Sequence, residues 1–406
     1  MSDLLDSRYS WTRLALSLGL ATIGNVGMWS IIMVLPVVQS EFGGGRGGAS
    51  LPYTMTMIGF GMGNMLLGRA VDRYGAGAVL ALAAVVSGLG HLAASFSPSL
   101  LVLSLVQVFV GLGSAAFFAP LLADVSLWFR RRRGIAVAIA ASGNYLAGAI
   151  WPVALTPMLA EQGWRGVYLL LALVVPVVVV PASMLLRRRL PASSLTAAAQ
   201  ATAQAPHQVP LSPRALMWLL ALAGVGCCVA MSMPQVHIVA FCVDLGYGPA
   251  VGAEMLSVML LAGVVSRMAS GWIADRLGGA RTVLIGSVGQ LIALTLYLPF
   301  DGLTSLYLVS LVFGLSQGGL VPAYAIIVRE YMPAREAGAR VGFVIMATIM
   351  GMALGGWMSG WIYDLTGSYQ LAFVNGIAWN ALNLGIMAWL VLRSRPGAPQ
   401  RAAVAA

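Results

Sequence analysis

The sequence predicts an all-α membrane protein with twelve transmembrane helices, arranged as two pseudo-symmetric bundles of six. Three observations predict this fold class: an apolar composition, twelve long apolar runs and an internal repeat. Of the 406 residues, 59% are apolar and 9% are charged, and the mean hydropathy is +0.88. Soluble domains carry about 25% charged residues, so this composition excludes a soluble enzyme, a nucleic-acid-binding protein and a disordered scaffold.

Each predicted transmembrane helix is a run of about 20 mostly apolar residues, bounded by Gly, Pro or Arg. The twelve runs cover residues 12–39, 49–71, 77–96, 98–123, 134–160, 165–186, 214–242, 249–273, 281–299, 303–329, 338–363 and 370–392. Most connections between them are short, so neighbouring helices are expected to run antiparallel.

One connection is long and differs in composition from the rest of the chain. It follows three arginines, and Pro, Ala, Ser, Thr and Gln dominate it. This composition is typical of a flexible linker. The sequence therefore predicts an N-terminal six-helix bundle over 1–189, a cytoplasmic linker over 190–213 and a C-terminal six-helix bundle over 214–406.

The positive charges predict the orientation of the helices. All 23 basic residues are arginine, and twenty of them lie at the chain ends or in even-numbered connections. Arg46 and Arg165 lie on the other side, and Arg267 falls inside a helix. The positive-inside rule places both termini in the cytoplasm of a plasma membrane, with a bacterial inner membrane expected. The net charge of +10 is thereby explained by topology, without an acidic ligand.

The two halves of the chain repeat each other at an offset of 203 residues. Residues 68–75 read G-R-A-V-D-R-Y-G, and residues 271–278 read G-W-I-A-D-R-L-G. At the same offset, Gly111 in the fourth run recurs as Gly314 in the tenth. Parallel six-helix repeats are a known transporter plan, with the substrate near the midplane between the halves.

This doubled motif resembles the G-x-x-x-D-R-x-G marker of the major facilitator superfamily. The matching residues are Gly68, Asp72 and Arg73 in the first copy and Gly271, Asp275 and Arg276 in the second. The resemblance implies a cytoplasmic gate, in which the two aspartates face the positive N-termini of the eleventh and fifth helices. The alternative is that these are solvated loop charges that only set the topology.

Within the superfamily, the chain is most similar to the monocarboxylate porters and the related oxalate–formate exchangers. Three stretches carry this similarity: W-F-R-R-R-R-G at 128–134 with the fifth-helix stretch 141–152, Q-V-H-I-V at 235–239, and S-R at 266–267 ahead of the second motif. The resemblance implies secondary active transport of a small monocarboxylate, by proton symport or by anion exchange.

Arg267 is the strongest candidate for substrate binding. An arginine at membrane depth costs at least about 2.5–3.5 kcal/mol, so it needs a partner or a wet cavity. The acids lie at helix ends or in loops, and Asp124, Asp244 and Glu254 come closest to the membrane interior. An unpaired guanidinium suits a carboxylate ligand, which its planar fork binds in two places. The alternative is that Arg267 extends its charge to the cytoplasmic surface.

Further candidates for the substrate site combine hydrogen-bonding and aromatic groups. His237 could donate to the same anion or accept a proton. Asn25 and Trp29 are four residues apart and are expected to share a helix face opposite Arg267. The remaining candidates are Asn144, Tyr145, Phe118 and Tyr324. For each of them, packing or a hydrogen bond within the core is the alternative role.

The sequence departs from the family in ways that bear on the substrate. Human-type monocarboxylate porters have an aspartate one turn before the arginine, where this chain has Gly263, and a lysine in the first helix. The oxalate exchanger uses a second cation in the eleventh helix, and this chain contains no lysine. A single fixed positive charge favours a monoanion over a small dianion.

The sequence therefore predicts a carrier and not an enzyme, without a cofactor, a metal or a nucleic-acid partner. Its expected partners are a small carboxylate, the lipid bilayer and either protons or a counter-anion, and the expected state is a monomer. Cys227, Cys228 and Cys242 give neither a disulfide framework nor a metal-binding spacing. The alternatives are an exporter of hydrophobic drugs or metabolites and a receptor that binds its ligand without transporting it.

Overall fold

The computed structural model describes residues 5–129, 131–188, 209–332 and 334–394, and its regular elements are all α-helices. The N-terminal half (5–188) contains α1 (Arg8–Gly24), α2 (Val26–Phe42), α3 (Arg46–Ala49), α4 (Leu51–Tyr74), α5 (Ala76–Ser95), α6 (Leu100–Ala115), α7 (Ala119–Leu127) and α8 (Arg133–Met184). The C-terminal half (209–394) contains α9 (Pro213–Asp244), α10 (Pro249–Leu277), α11 (Gly279–Leu296), α12 (Leu303–Gln317), α13 (Leu320–Tyr331), α14 (Ala334–Thr366) and α15 (Gln370–Arg393).

These helices provide the twelve predicted membrane crossings. Ten stretches of the described chain are long and apolar enough to span a bilayer. One of them, α8, has 52 residues and contains two predicted runs, which Gly163 separates with a φ of 70°. The 24-residue α4 lies on the predicted run 49–71 and completes the set. The protein is thus an integral membrane protein with twelve membrane crossings. Residues 190–208 of the predicted linker lie outside the described ranges.

Three of the crossings are built from two helices each. The first is interrupted at Asn25, the fourth at 116–118 and the tenth at 318–319. The second and third of these breaks occupy equivalent places in the two halves. At the first break, the Asn25 side chain donates to the carbonyl oxygens of Ala21 and Phe117, at 2.8 and 3.2 Å. Asn25 and Trp29, four residues apart across this break, both contact Asn144.

The internal repeat of the sequence is also a repeat of contacts. In the N-terminal half, the backbone of Gly111 in α6 lies against the carbonyl oxygen of Thr56 in α4. In the C-terminal half, the backbone of Gly314 in α12 lies in the same way against the carbonyl oxygen of Met259 in α10. Both partners are again 203 residues apart. Neither position has room for a Cβ atom, so the glycines allow close helix packing.

The last glycine of each doubled motif ends a helix. Gly75 and Gly278 have φ angles of 86° and 84°, a region of backbone conformation that favours glycine. Each is followed at once by the next helix, α5 or α11. The motif therefore forms the same tight helix–helix turn in both halves.

The two ends of the bundle are held by different side chains. At the arginine-rich end, where α1 begins and α15 ends, Arg13 binds both carboxylate oxygens of Asp124 and also the carbonyl oxygen of Leu186. At the opposite end, Glu41 accepts from Trp164 and Arg165, both at 2.5 Å. The first crossing, from Arg13 to Glu41, and the sixth, from Arg165 to Leu186, therefore run in opposite directions, as the short loops predict.

Large apolar side chains cover the outer surface of the bundle. They include Leu82, Leu89, Leu173, Val177 and Leu308, all of which are more than half exposed. In water, such a surface would cause aggregation. In a bilayer it is the surface that faces the lipid tails, and helix association then depends on the close glycine contacts described above.

Candidate functional site

A central cavity lies between the two halves of the protein. Eight of its lining residues come from the N-terminal half: Met28, Trp29, Tyr53, Met57, Phe60, Phe118, Asn144 and Tyr145. Eight come from the C-terminal half: Cys228, Met231, Gln235, Arg267, Val321, Thr348, Ile349 and Met352. The space that they enclose, including its open side, is about 630 Å³.

Arg267 of α10 is the charged side chain in this lining. It is 5% exposed and does not reach the surface, so the alternative that it extends to the membrane boundary does not apply. Its Nε donates to the carbonyl oxygen of Gly318 at 2.9 Å, and its Nη1 donates to that of Ala141 at 2.5 Å. These carbonyl oxygens accept from two of its nitrogens without neutralising the charge. Among the described lining residues there is no acid to do so.

The face of the Arg267 guanidinium lies on the ring of Tyr145, with its central carbon 4.1 Å from the ring centre. This is a cation–π contact, and it joins α10 to α8. The ring has room because residue 263 is glycine: a Cβ atom there would lie 2.8 Å from Cε2 of Tyr145. Where human-type monocarboxylate porters have an aspartate, this chain therefore places an aromatic ring beside its arginine.

Asn144 and Trp29 form the polar part of the N-terminal wall. The Trp29 indole donates to the backbone carbonyl of Asn144 at 3.0 Å. The Asn144 amide nitrogen lies 3.4 Å from the side-chain oxygen of Asn25 and 3.3 Å from the sulfur of Met28. Asn25 is fully buried and its own amide nitrogen is used at the α1–α2 break, so it orients Asn144 from behind the wall.

Most of the remaining lining is apolar. Phe60 and Phe118 pack with their ring centres 5.8 Å apart at an angle of 43°. Four methionines stand among the lining residues: Met28, Met57, Met231 and Met352. Thioethers are polarizable and adapt their shape, so this wall can pack closely against varied apolar groups.

A second cluster, here called the closing cluster, joins the two halves outside the cavity lining. Arg46 of the N-terminal half forms an ion pair with Asp244 of the C-terminal half and donates to the Tyr369 hydroxyl at 2.6 Å. The carboxylate of Asp364 accepts the backbone N–H groups of Arg46 and Gly47, at 2.5 and 2.8 Å. Burial opposes the charge of Arg46, but Tyr369 and Asp244 raise the pKa of its guanidinium above the usual value. The halves are thus fastened together by this cluster.

His237 belongs to this closing cluster, which comprises Arg46, His237, Asp244, Asp364 and Tyr369. It is fully buried, and its Nε2 lies 2.7 Å from the carbonyl oxygen of Gly356. Because that nitrogen faces an acceptor, it carries the proton, and Nδ1 accepts from the Tyr369 hydroxyl at 3.0 Å. Both ring nitrogens are therefore occupied by protein groups.

Comparison with known proteins identifies the family. A profile described as Major Facilitator Superfamily matches residues 18–305 and 243–406. The chain belongs to the major facilitator superfamily. It is therefore a membrane transporter for a small molecule and not an enzyme.

Among relatives in this superfamily, Monocarboxylate transporter 13 of Rattus norvegicus is 29% identical over 306 residues, which cover 75% of this chain and 70% of that protein. Monocarboxylate transporter 13 of Bos taurus is 30% identical over 308 residues, 75% of this chain and 71% of that protein. In three dimensions, the nucleoside transporter NupG matches with a TM-score of 0.68 at 15% identity, over 92% of this chain and 99% of that one. The structural match supports the fold alone.

The structure of this superfamily member brings five of the predicted binding residues to the cavity: Arg267, Asn144, Tyr145, Trp29 and Phe118. It places the other three elsewhere. Asn25 lies behind the wall, and His237 lies in the closing cluster. Tyr324 is fully buried and donates to the side-chain oxygen of Asn383 at 2.7 Å, within the C-terminal half. Sequence spacing could not separate these roles, because all three residues lie inside predicted apolar helices.

Sequence reasoning missed other lining residues that follow a recognisable spacing. Tyr53, Met57 and Phe60 lie on one face of α4, and Cys228, Met231 and Gln235 lie on one face of α9. A spacing of three or four residues was a usable signal for a shared face. It could not show whether that face meets a cavity, another helix or lipid.

At the arginine-rich end, the doubled motif is described only in part. Asp275 is exposed at the end of α10, and Arg276 lies over the Trp272 ring at 3.8 Å. Within the described part of the chain, Asp275 has no hydrogen bond or ion pair with another residue. The side chain of Asp72 lies outside what the structure describes. The gate role of the motif stays a prediction.

Proposed function

We propose that this protein is a secondary active transporter that moves a small monocarboxylate across the membrane by alternating access. The observation that carries the proposal is Arg267: a buried guanidinium at the central cavity, without an acidic partner among the described lining residues. A carboxylate would supply the missing negative charge and complete the hydrogen bonding. Relatives that bear the name monocarboxylate transporter support the same substrate class.

The contacts between the two halves support alternating access. The closing cluster joins them at one end through Arg46, and Arg267 joins them at the cavity through Ala141. A substrate that binds Arg267 competes with the Ala141 carbonyl, and release to the other side requires the Arg46 contacts to separate. A rocking motion of one half against the other must break these contacts and form them again in each cycle.

Exchange against a second anion is the coupling that the cavity favours. Proton symport through an acid–arginine pair needs an acid beside Arg267, and this chain has Gly263 and the Tyr145 ring there. An empty carrier would have to move an uncompensated guanidinium, whereas a carrier loaded on both journeys moves a neutral pair. Proton symport is the alternative that the experiment below distinguishes.

The remaining features of the proposal concern organisation. The arginine-rich end lies in the cytoplasm with both termini, and the membrane is a bacterial inner membrane. The bundles are 1–189 and 214–406, joined by the linker 190–213, and the protein acts as a monomer. The doubled motif around Asp72 and Asp275 latches the arginine-rich end when that end closes.

The test is uptake of a labelled monocarboxylate into proteoliposomes by the full chain, by Arg267→Gln and by Arg214→Gln. Arg214 is exposed at the start of α9, so its variant removes one charge away from the cavity. We expect uptake that depends on a preloaded counter-anion, that Arg267→Gln abolishes and that Arg214→Gln leaves unchanged. Uptake driven by an inside-alkaline pH gradient without counter-anion would establish symport instead.

Two other results would overturn the proposal. Uptake of lipophilic compounds that is insensitive to Arg267→Gln would identify an exporter of hydrophobic drugs or metabolites, a function that the apolar lining also permits. Carboxylate binding to the folded protein without flux would identify a receptor.

A further inference from the structure

We infer that the carried acid is a monocarboxylate with an apolar, aromatic body and not a small hydroxy or keto acid. The inference rests on the proposed function and concerns the same cavity. Two properties of the cavity carry it: its charge and its wall.

The charge of the cavity selects one carboxylate and no other ionised group. Arg267 is the charged side chain among the described lining residues, so a second carboxylate would enter without a counter-charge. An α-ammonium group would need an acid, but Asp124, Asp244 and Glu254 each bind a partner at the ends of the molecule. Dicarboxylates and zwitterionic amino acids are therefore poor ligands.

Most of the remaining lining is suited to an apolar body. The tilted pair of Phe60 and Phe118 offers ring faces and edges from the N-terminal half. Met57 of that half, with Met231 and Met352 of the C-terminal half, adds flexible thioether groups, which make favourable contacts with aromatic rings. A hydroxyl or keto group on a short chain would gain nothing from these side chains.

The same wall disfavours a short acid. A small acid on Arg267 would leave water against Phe60 and Phe118, whereas a ring-bearing acid replaces that water with apolar contact.

The first test is a competition series on the full-length chain in proteoliposomes. Uptake of labelled phenylacetate is measured against unlabelled phenylacetate, lactate, phenylalanine and phenylsuccinate. These compounds separate the ring, the ammonium group and the second carboxylate. We expect phenylacetate to compete at a concentration at least about tenfold below that of lactate, since it adds a buried ring. Phenylalanine and phenylsuccinate are expected to compete no better than lactate.

The second test compares Phe118→Ala with Phe96→Ala. Phe96 is 72% exposed at the end of α5 and serves as the control for loss of a ring away from the cavity. Loss of the Phe118 ring contact is expected to raise the KM for phenylacetate about two- to tenfold, with the KM for lactate nearly unchanged. Phe96→Ala is expected to change neither value. Elution of each variant as a single species on size exclusion shows that it is folded.

The outcomes separate this inference from the proposed function. Lactate uptake with lactate competing as well as phenylacetate, or an equal effect of Phe118→Ala on both acids, overturns the aromatic body and leaves monocarboxylate transport intact. Absence of uptake and of radioligand binding for both acids by the folded chain overturns the two together.

Discussion

Arg267 of α10 donates a hydrogen bond to the carbonyl oxygen of Ala141 in α8, with a distance of 2.5 Å between Nη1 and the oxygen. The bond crosses from the C-terminal to the N-terminal half at the cavity. The guanidinium that we propose to bind the substrate thus also forms a hydrogen bond between the halves. Substrate binding and relative movement of the halves therefore act on one side chain, which is a direct physical route for coupling them.

The ring of Tyr145 is expected to hold the guanidinium of Arg267 in position. Tyr145→Phe keeps the ring face, whereas Tyr145→Leu removes the cation–π contact, which is worth about 0.5–2 kcal/mol. We expect KM for the transported acid to rise about two- to thirtyfold in Tyr145→Leu and to stay close to the native value in Tyr145→Phe. The concentration dependence of uptake measures both. Equal KM values for the two variants would show that the ring contact is not used.

Gly263 is expected to tolerate no side chain while Tyr145 is present. A Cβ atom at 263 would lie 2.8 Å from the ring, so Gly263→Ala should lower the thermal stability by about 1–3 kcal/mol of overpacking. Melting of the purified protein in detergent measures this loss. Gly263→Ala on a Tyr145→Ser background should recover most of it, and failure to recover would place the strain elsewhere.

Gly263 and Tyr145 also offer a test of how transport is coupled to protons. In Gly263→Asp with Tyr145→Ser, an aspartate takes the place beside Arg267 and competes with the substrate carboxylate. Protonation of that aspartate frees the guanidinium, so uptake by the double variant should rise as the external pH falls. The native chain, under the same series of pH values, should show a weaker dependence. Equal pH profiles would argue against a role for position 263 in coupling.

Arg46 is expected to keep the opposite end closed. Arg46→Gln removes the ion pair to Asp244 and the charge-assisted bond to Tyr369, so the population open at that end should increase. Labelling of Thr54→Cys by a membrane-impermeant maleimide reports this opening, since the Thr54 hydroxyl donates to the Ala353 carbonyl across the interface. We expect labelling to rise about two- to fivefold, since loss of an ion pair worth up to about 1 kcal/mol shifts the closed–open equilibrium by that factor.

The matched control for this experiment is Arg165→Gln. Arg165 also forms an ion pair at the opposite end, but its partner Glu41 lies in the same half. Its loss should therefore leave the labelling of Thr54→Cys unchanged. The assignment of Arg46 fails when both variants raise the labelling equally.

The repeated glycine contacts are expected to be equally important for packing in the two halves. Gly111→Ala and Gly314→Ala each push a methyl group into the backbone of a neighbouring helix, at a cost of about 1–3 kcal/mol. The control is Gly385→Ala, because no atom lies within 4 Å of a Cβ built there. Thermal unfolding in detergent should show a lower melting temperature for the first two variants and not for the third.

The number of membrane crossings and the internal repeat could both be predicted from the sequence, because a bilayer leaves few alternatives. Apolar runs of about 20 residues must be helical there, since every backbone polar group needs an internal partner. The repeat at 68–75 and 271–278 was visible because its glycines are needed for the same backbone turn, with φ near 85° at the last position of each copy. The importance of Arg267 was also visible, since its charge stands inside an apolar run.

Only the tertiary structure decided which residues surround Arg267. The sequence suggested Asn25 and His237 as ligand groups, yet Asn25 supports Asn144 from behind and His237 lies in the closing cluster. Arg46 looked like a topological charge, and its partners are Asp244, Asp364 and Tyr369, about 200 to 320 residues away in the chain. Hydropathy indicates how deep a side chain lies in the membrane. It does not show how each helix is rotated about its own axis against its neighbours. Which face of a helix meets a cavity, a neighbour or lipid depends on packing between distant segments, and that is a property of the folded bundle.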